Sequence, residues 1–222
     1  MKKVGIIGGA GPLASALFYQ TVIQECYNQA QFVPEIHLLN FPFTRGLTSE
    51  EGLHNGTLLE KELQYCLDIF TLNGIEIGIL ACNTLHLYLN MLPKTIPFVS
   101  LPETVMTEAR TRGHHRILVL GTQNTCYSNL YCHQDLEVLY PPKMIQLDLD
   151  AIIDRVLQGK ILQEDSHYVS KFIEEYSKTT SFDGIVLGCT DLPVLHHHFP
   201  IQAYKPLYDS IKIPAKKLRG LL

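Results

Sequence analysis

No stretch of this 222-residue chain is apolar over the roughly 20 residues that a bilayer-spanning helix needs, so a membrane anchor is not expected. The opening residues run into a glycine turn too early to serve as the apolar part of a signal peptide, so the protein is expected in the cytoplasm. A basic face is also missing. The 18 Lys and Arg residues are scattered along the chain, never more than two in a row, and outnumbered by 22 Asp and Glu, giving a formal charge of −4, which argues against a nucleic-acid partner. Cys126, Cys132 and His133 lack the second paired motif that would complete a zinc set, so no metal is expected. What is present suits a soluble α/β protein of one large or two small domains, 46% hydrophobic and 18% charged.

Six cysteines in a reducing compartment read as free thiols rather than disulfides. Cys66 shares a helical stripe with Leu59, Leu63 and Phe70, and Cys26 follows Phe18 and Val22 at helical spacing, so both read as core. Two others stand apart. ACNTLH (Ala81 to His86) and GCTDLP (Gly188 to Pro193) each place a cysteine just beyond an apolar, β-branched run, GIEIGIL and FDGIVL. Such runs read as buried parallel strands, whose carboxyl ends are where α/β sheets gather ligands.

Each of these strands is preceded, at a similar interval, by another strand that ends in glycine: KVGIIGGAGPLAS in the first half and RILVLGTQNTCYS in the second. The pattern reads as an internal duplication. It predicts two similar Rossmann-like or flavodoxin-like α/β domains with parallel sheets, related by a pseudo-twofold, with Cys82 and Cys189 on opposite walls of the interdomain cleft. The expected division is residues 1–100, joined by the C-terminal helix 208–222, and residues 101–207. The coarse pattern places strands at 3–8 and 35–41, with helices at 12–30 and 57–73. In the second half it places helices at 103–112, after Asn124, near 148–158 and 165–178, and at about 210–221. A proline-rich linker holds Pro93, Pro97 and Pro102.

Gly9-Ala10-Gly11-Pro12-Leu13-Ala14 formally matches a GxGxxA dinucleotide fingerprint. The second strand, however, ends Leu38-Leu39-Asn40-Phe41 without the acidic residue that would hold a ribose, and Pro12 removes an N–H donor. A carboxylate at the Ala10 turn is the better guest; a purely structural turn is the alternative.

The matching residues Gly8-Gly9-Ala10-Gly11-Pro12, Ala81-Cys82-Asn83-Thr84 with His86, Gly121-Thr122 with Thr125, and Gly188-Cys189-Thr190-Asp191 run in order over nearly the whole chain. In these the chain resembles the cofactor-independent aspartate/glutamate racemases. The resemblance implies two α/β domains around a cleft, no pyridoxal phosphate or other cofactor, a cysteine pair acting as acid and base, and a homodimer. It further implies that Arg45, in the loop FPFTRGLTS, grips a distal carboxylate; a solvated loop arginine is the alternative. Aspartate-specific members carry a lysine two places before a glycine in the helix ahead of the last cysteine strand. Here that place is Leu157, ahead of Gly159, with Lys160 one step late, so a preference for aspartate is not implied. Ser15 and Asp191 are mild departures from threonine and glutamate.

The chemistry has its own logic. Inverting an α-carbon removes a proton from one face and delivers one to the other, and a thiolate facing a thiol meets that need. An ordinary thiol, with a pKa of about 8.5, is mostly protonated at pH 7, so a helix start aimed at the sulfur is expected to stabilise the thiolate. Charge developing on the substrate's α-carboxylate calls for donors, for which Asn83, Thr84, Thr122 and Thr190 are candidates; ordinary helix capping is the competing role. His86 is a candidate to orient or acidify Cys82, against a helical surface or cap role. His114 and His115 read as solvated, and His196 to His198 as an exposed loop run. Competing functions are a decarboxylase, a diacid cis–trans isomerase, a hydantoin racemase, a silent amino-acid-binding protein and a Cys–His hydrolase.

Overall fold

The computed structural model describes residues 2–30, 32–43 and 56–222. The first unit runs β1 (Val4–Gly8), α1 (Pro12–Ala30), β2 (Ile36–Asn40), α2 (Gly56–Leu72), β3 (Ile77–Leu80), α3 (His86–Leu89) and β4 (Phe98–Val99). The second runs α4 (Leu101–Thr111), β5 (Arg116–Leu120), α5 (Gln123–Tyr127), β6 (Glu137–Leu139), α6 (Lys143–Leu157), α7 (Gln163–Ser177), β7 (Gly184–Leu187), α8 (Asp191–His198) and β8 (Leu207–Asp209). Helix α9 (Lys212–Arg219) closes the chain.

Two parallel four-stranded sheets result, ordered β2-β1-β3-β4 and β6-β5-β7-β8. The two orders are the same, so the duplication inferred from sequence is present in the topology. Strands β1, β3 and β7 are buried at every residue and β5 at all but its first, because helices cover both faces of a parallel sheet. The strand order reverses between β1 and β3, and again between β5 and β7. That reversal opens a crevice at the carboxyl ends of these strands. Register places Ile7 beside Leu80 and Leu120 beside Leu187, so each glycine turn lies next to a cysteine loop.

Helix α2 buries Leu59, Leu63, Cys66, Leu67 and Phe70 along one stripe, and α1 buries Ala14, Phe18, Val22 and Cys26 at four-residue spacing. Each large apolar side chain so buried contributes about 1.5–3 kcal/mol before entropy is counted. The core is continuous between the halves: Ile6 and Phe18 belong to the same buried cluster as Leu118, Leu192 and Leu218. Helix α9 makes this link, lying against α1 and α4.

Several elements depart from the sequence expectation. Edge strands β4, β6 and β8 are two or three residues long, too short for a period-two signal. Helix α4 begins at Leu101, two residues early, where Ser100 accepts the Glu103 N–H and Pro102 sits in the first turn. His196 to His198 are not a loop run. They end α8, where His196 Nδ1 accepts the Ile201 N–H at 3.0 Å. His114, expected to be solvated, is half-buried edge-on to Tyr208, with its Nδ1 2.8 Å from the Tyr208 hydroxyl.

Candidate active site

The turn after β1 is shaped by contacts that only glycine permits. Gly9 has a positive φ of 108°, and a Cβ there would lie 1.9 Å from the Phe41 carbonyl. Ser15 fastens the turn, its Oγ accepting the Gly9 N–H at 2.9 Å and donating to the Gly11 carbonyl at 2.8 Å. Ala10 is half-buried at this turn, beside the first-half core. Gly11 faces the second half: a Cβ on it would sit 2.9 Å from Asp191 Oδ1.

Cys82 follows Ala81 at the end of β3 and keeps an accessible edge; Cys189 holds the equivalent place after β7 and is buried. The two thiols are near enough to act on each other electrostatically. The backbone N–H groups of Leu85 and Thr84 pull the Cys82 pKa down, as a helix start should, but burial outweighs them and pushes it up to about 12. Cys189 is also raised well above its ordinary value, first by burial and then by the Asp191 carboxylate, against the Asp191 N–H. The N–H groups thus favour the Cys82 thiolate as expected, but desolvation outweighs them, and both sulfurs are held above the ordinary thiol pKa, as thiols at neutral pH.

Asp191 is buried at the start of α8. Its Oδ2 accepts from Cys189 Sγ at 3.5 Å, while Oδ1 has no hydrogen-bond partner among the described residues. Burial raises its pKa to about 7, a partly neutral carboxyl at physiological pH.

Side chains from both halves meet at the seam. Thr84 Oγ1 lies 3.4 Å from Thr122 Oγ1 and 3.3 Å from Thr125 Oγ1, and the latter two are 3.1 Å apart. Thr122 also caps α5, accepting the Thr125 N–H at 3.2 Å, so the capping role and the seam role coexist in one residue. Thr190 Oγ1 approaches the Ala81 carbonyl at 3.5 Å. Asn83 donates to Ser210 Oγ at 3.2 Å and accepts from the Tyr131 hydroxyl at 2.7 Å.

His86 is buried rather than on a helical surface. Its Nδ1 is 2.8 Å from the Cys82 carbonyl and its Nε2 accepts the Leu101 N–H at 3.3 Å, which fixes a neutral ring with the proton on Nδ1. Burial depresses its pKa to about 4. It thus holds the backbone of Cys82 to the start of α4, and its ring nitrogens are engaged away from the sulfur.

Arg45 lies outside the described residues. Cys126 donates to Gln146 Oε1 at 3.3 Å, and no group of metal-ligating side chains forms among the described residues. Leu157 packs against the core cluster that the two halves share, while Lys160 donates to Gln158 Oε1 at 3.3 Å. Sequence reasoning missed Tyr131 and Ser210. Tyr131 lies in an irregular segment with no periodic pattern, and Ser210 reads simply as the start of the last helix.

The chain is similar to known proteins in sequence and in fold. The chain is 23% identical over 222 residues to the broad specificity amino-acid racemase of Bacillus subtilis, covering 96% of this chain and 95% of that one. It is 29% identical over 163 residues to the glutamate racemase of Helicobacter pylori, covering 69% and 59% respectively. The crystal structure of an aspartate racemase homologue from Pyrococcus horikoshii superposes with a TM-score of 0.77 at 27% identity, covering 100% of this chain and 99% of that one. No described helix is long and apolar enough to cross a membrane. The Asp/Glu/hydantoin racemase family model matches residues 7–218, and the chain belongs to that family of isomerases.

Proposed function

We propose that this protein is a cofactor-independent amino-acid racemase that interconverts the L and D forms of aspartate, glutamate or both, with Cys82 and Cys189 as its two acid–base groups. The observation that carries this reading is the placement of the two thiols at the carboxyl ends of equivalent strands in two sheets of one topology, with Cys82 close enough to act electrostatically on Cys189. One thiolate takes the α-proton from one face; the opposing thiol gives its proton to the other face, and the carbanion's electron pair returns to Cα. No net oxidation or atom loss occurs, and the roles exchange in the reverse direction.

Because both sulfurs rest protonated, the substrate has to supply part of the activation. Its ammonium group, entering a water-poor cleft beside a thiol, stabilises the thiolate that forms when that one thiol releases its proton to solvent, and the other sulfur stays protonated. Charge that builds on the α-carboxylate is held by donors from Asn83, Thr84, Thr122 and Thr190 and by the Ala10 turn. Arg45 belongs to the same proposal as the clamp for a distal carboxylate, for which its planar fork is suited. So do the homodimer and the cytoplasmic location.

A wider substrate range than the two dicarboxylic amino acids has specific support. Leu157 stands where aspartate-specific members carry lysine, and the B. subtilis relative is named for broad specificity.

The test is incubation of single enantiomers of aspartate and glutamate in D2O without pyridoxal phosphate. Wild-type protein is expected to invert the α-carbon while introducing deuterium there. Cys82→Ser and Cys189→Ser should each lose inversion by at least about 10³-fold, since a serine hydroxyl is far less acidic than a thiol. Full inversion by either variant refutes the two-base reading.

A further inference from the structure

Asn83 belongs to the first half by sequence, next to Cys82, yet its amide is held at one end by Tyr131 of the second half and at the other by Ser210, far along the chain. The Tyr131 hydroxyl donates to its Oδ1 at 2.7 Å, and its Nδ2 donates to Ser210 Oγ at 3.2 Å. The shorter contact suits an O–H···O bond and the longer an N–H···O bond, and with this assignment the amide oxygen lies at Tyr131 and the nitrogen at Ser210. All three side chains are buried. The Tyr131 ring also touches the other cysteine loop, its Cε2 lying 3.2 Å from the position of a Cβ on Gly188, the residue before Cys189. Burial, and after it the charges of Cys189 and Cys82, raise the pKa of the phenol well above its ordinary value, so it keeps its proton.

We infer that Tyr131 is a positioning residue. By holding the Asn83 carbonyl away from the cleft, with Ser210 on one N–H, it leaves the second N–H of Asn83 to donate to the substrate's α-carboxylate beside Cys82. An amide turned the other way would present an oxygen to that carboxylate and repel it. The effect grows along the reaction because the carboxylate gains charge as the α-proton leaves, so loss of the orientation is felt in kcat more than in KM. The assignment rests on the two-thiol racemase reading for its functional consequence, and on the Tyr131–Asn83–Ser210 geometry for its structural one.

Tyr131→Phe removes only the hydroxyl and keeps the ring against Gly188. The expected result is a fall in kcat of about 10- to 100-fold with a KM within about 3-fold of wild type, somewhat less than the loss of an oxyanion donor outright. In an Asn83→Ala background the same substitution should cost less than about 2-fold, since its target is gone. Equal losses in both backgrounds, or no loss in wild type, overturn the inference. Should the wild-type protein show no α-proton exchange at all, the two-thiol reading falls. The positioning role is then decided by the side-chain amide signals of Asn83 in ¹⁵N NMR: Tyr131→Phe must shift or broaden them, and unchanged signals overturn it.

Discussion

Cys189 donates its thiol hydrogen to one oxygen of the Asp191 carboxylate, while the other oxygen of that carboxylate is turned toward Gly11 in the opposite half. A single acidic group thus senses both a candidate base and the turn that faces it. Its titration has consequences for stability and for chemistry.

The folded state raises the Asp191 pKa from 3.8 to about 7. Between these values the folded protein holds a proton that the unfolded chain has released, so this group's stabilising contribution is full below about pH 4 and is lost as pH rises through 7. Against Asp191→Asn, which does not titrate, the wild type should therefore lose up to about 4 kcal/mol of relative stability between pH 4 and pH 8. Urea unfolding of the two proteins across that range measures it, and a difference that does not vary with pH refutes the assignment.

His86 works in the opposite sense over much of the same range. Its folded pKa is depressed from 6.5 to about 4, so its contribution is present above 6.5 and disappears as pH falls toward 4. On going from pH 7 to pH 4 the wild type should lose up to about 3 kcal/mol more stability than His86→Gln. Equal acid sensitivity of the two proteins would show that the ring is not held neutral between the Cys82 carbonyl and the Leu101 N–H.

Gly11→Ala introduces a methyl 2.9 Å from Asp191 Oδ1 and 3.2 Å from Oδ2. The carboxylate has to move, and its bond with Cys189 moves with it. A displacement of this kind at a reacting centre is expected to lower kcat/KM by at least about 10-fold. The melting temperature should stay within a few degrees of wild type, and unaltered kinetics would mean that Asp191 has no part in setting Cys189.

For Arg45→Ala the informative quantity is a ratio. If the guanidinium grips a distal carboxylate, kcat/KM for glutamate and aspartate should fall by about 10-fold or more, while that for an uncharged amino acid such as alanine stays level. A parallel fall for every substrate, or none, removes the clamp from the mechanism.

The duplication and the cysteine placement were legible because central parallel strands are buried on both faces. The strands IGIL and GIVL have to be apolar throughout, and chemistry-bearing residues are confined to the turns that follow. The seam was legible only in part. Asn83, Thr84, Thr122 and Thr190 stand next to strand ends, where sequence points to them. Tyr131 and Ser210 reach the site by tertiary contact from segments with no local signature. The resting state of the thiols was not legible either. A helix start is visible in sequence, whereas the desolvation that outweighs it at Cys82 depends on what the rest of the chain stacks around the sulfur.

Helix α9 comes after the last strand of the second sheet, yet it lies on α1, the first helix of the chain. The polypeptide therefore crosses between the halves twice, once ahead of α4 and once behind β8. A body tied to its neighbour by one tether can swivel; tied by two, it can only bend about the line that joins them. In the proposed two-thiol racemase, any tightening around a bound amino acid would thus be steered along one track, keeping the opposed sulfurs in line with the stereocentre rather than letting them slide past it.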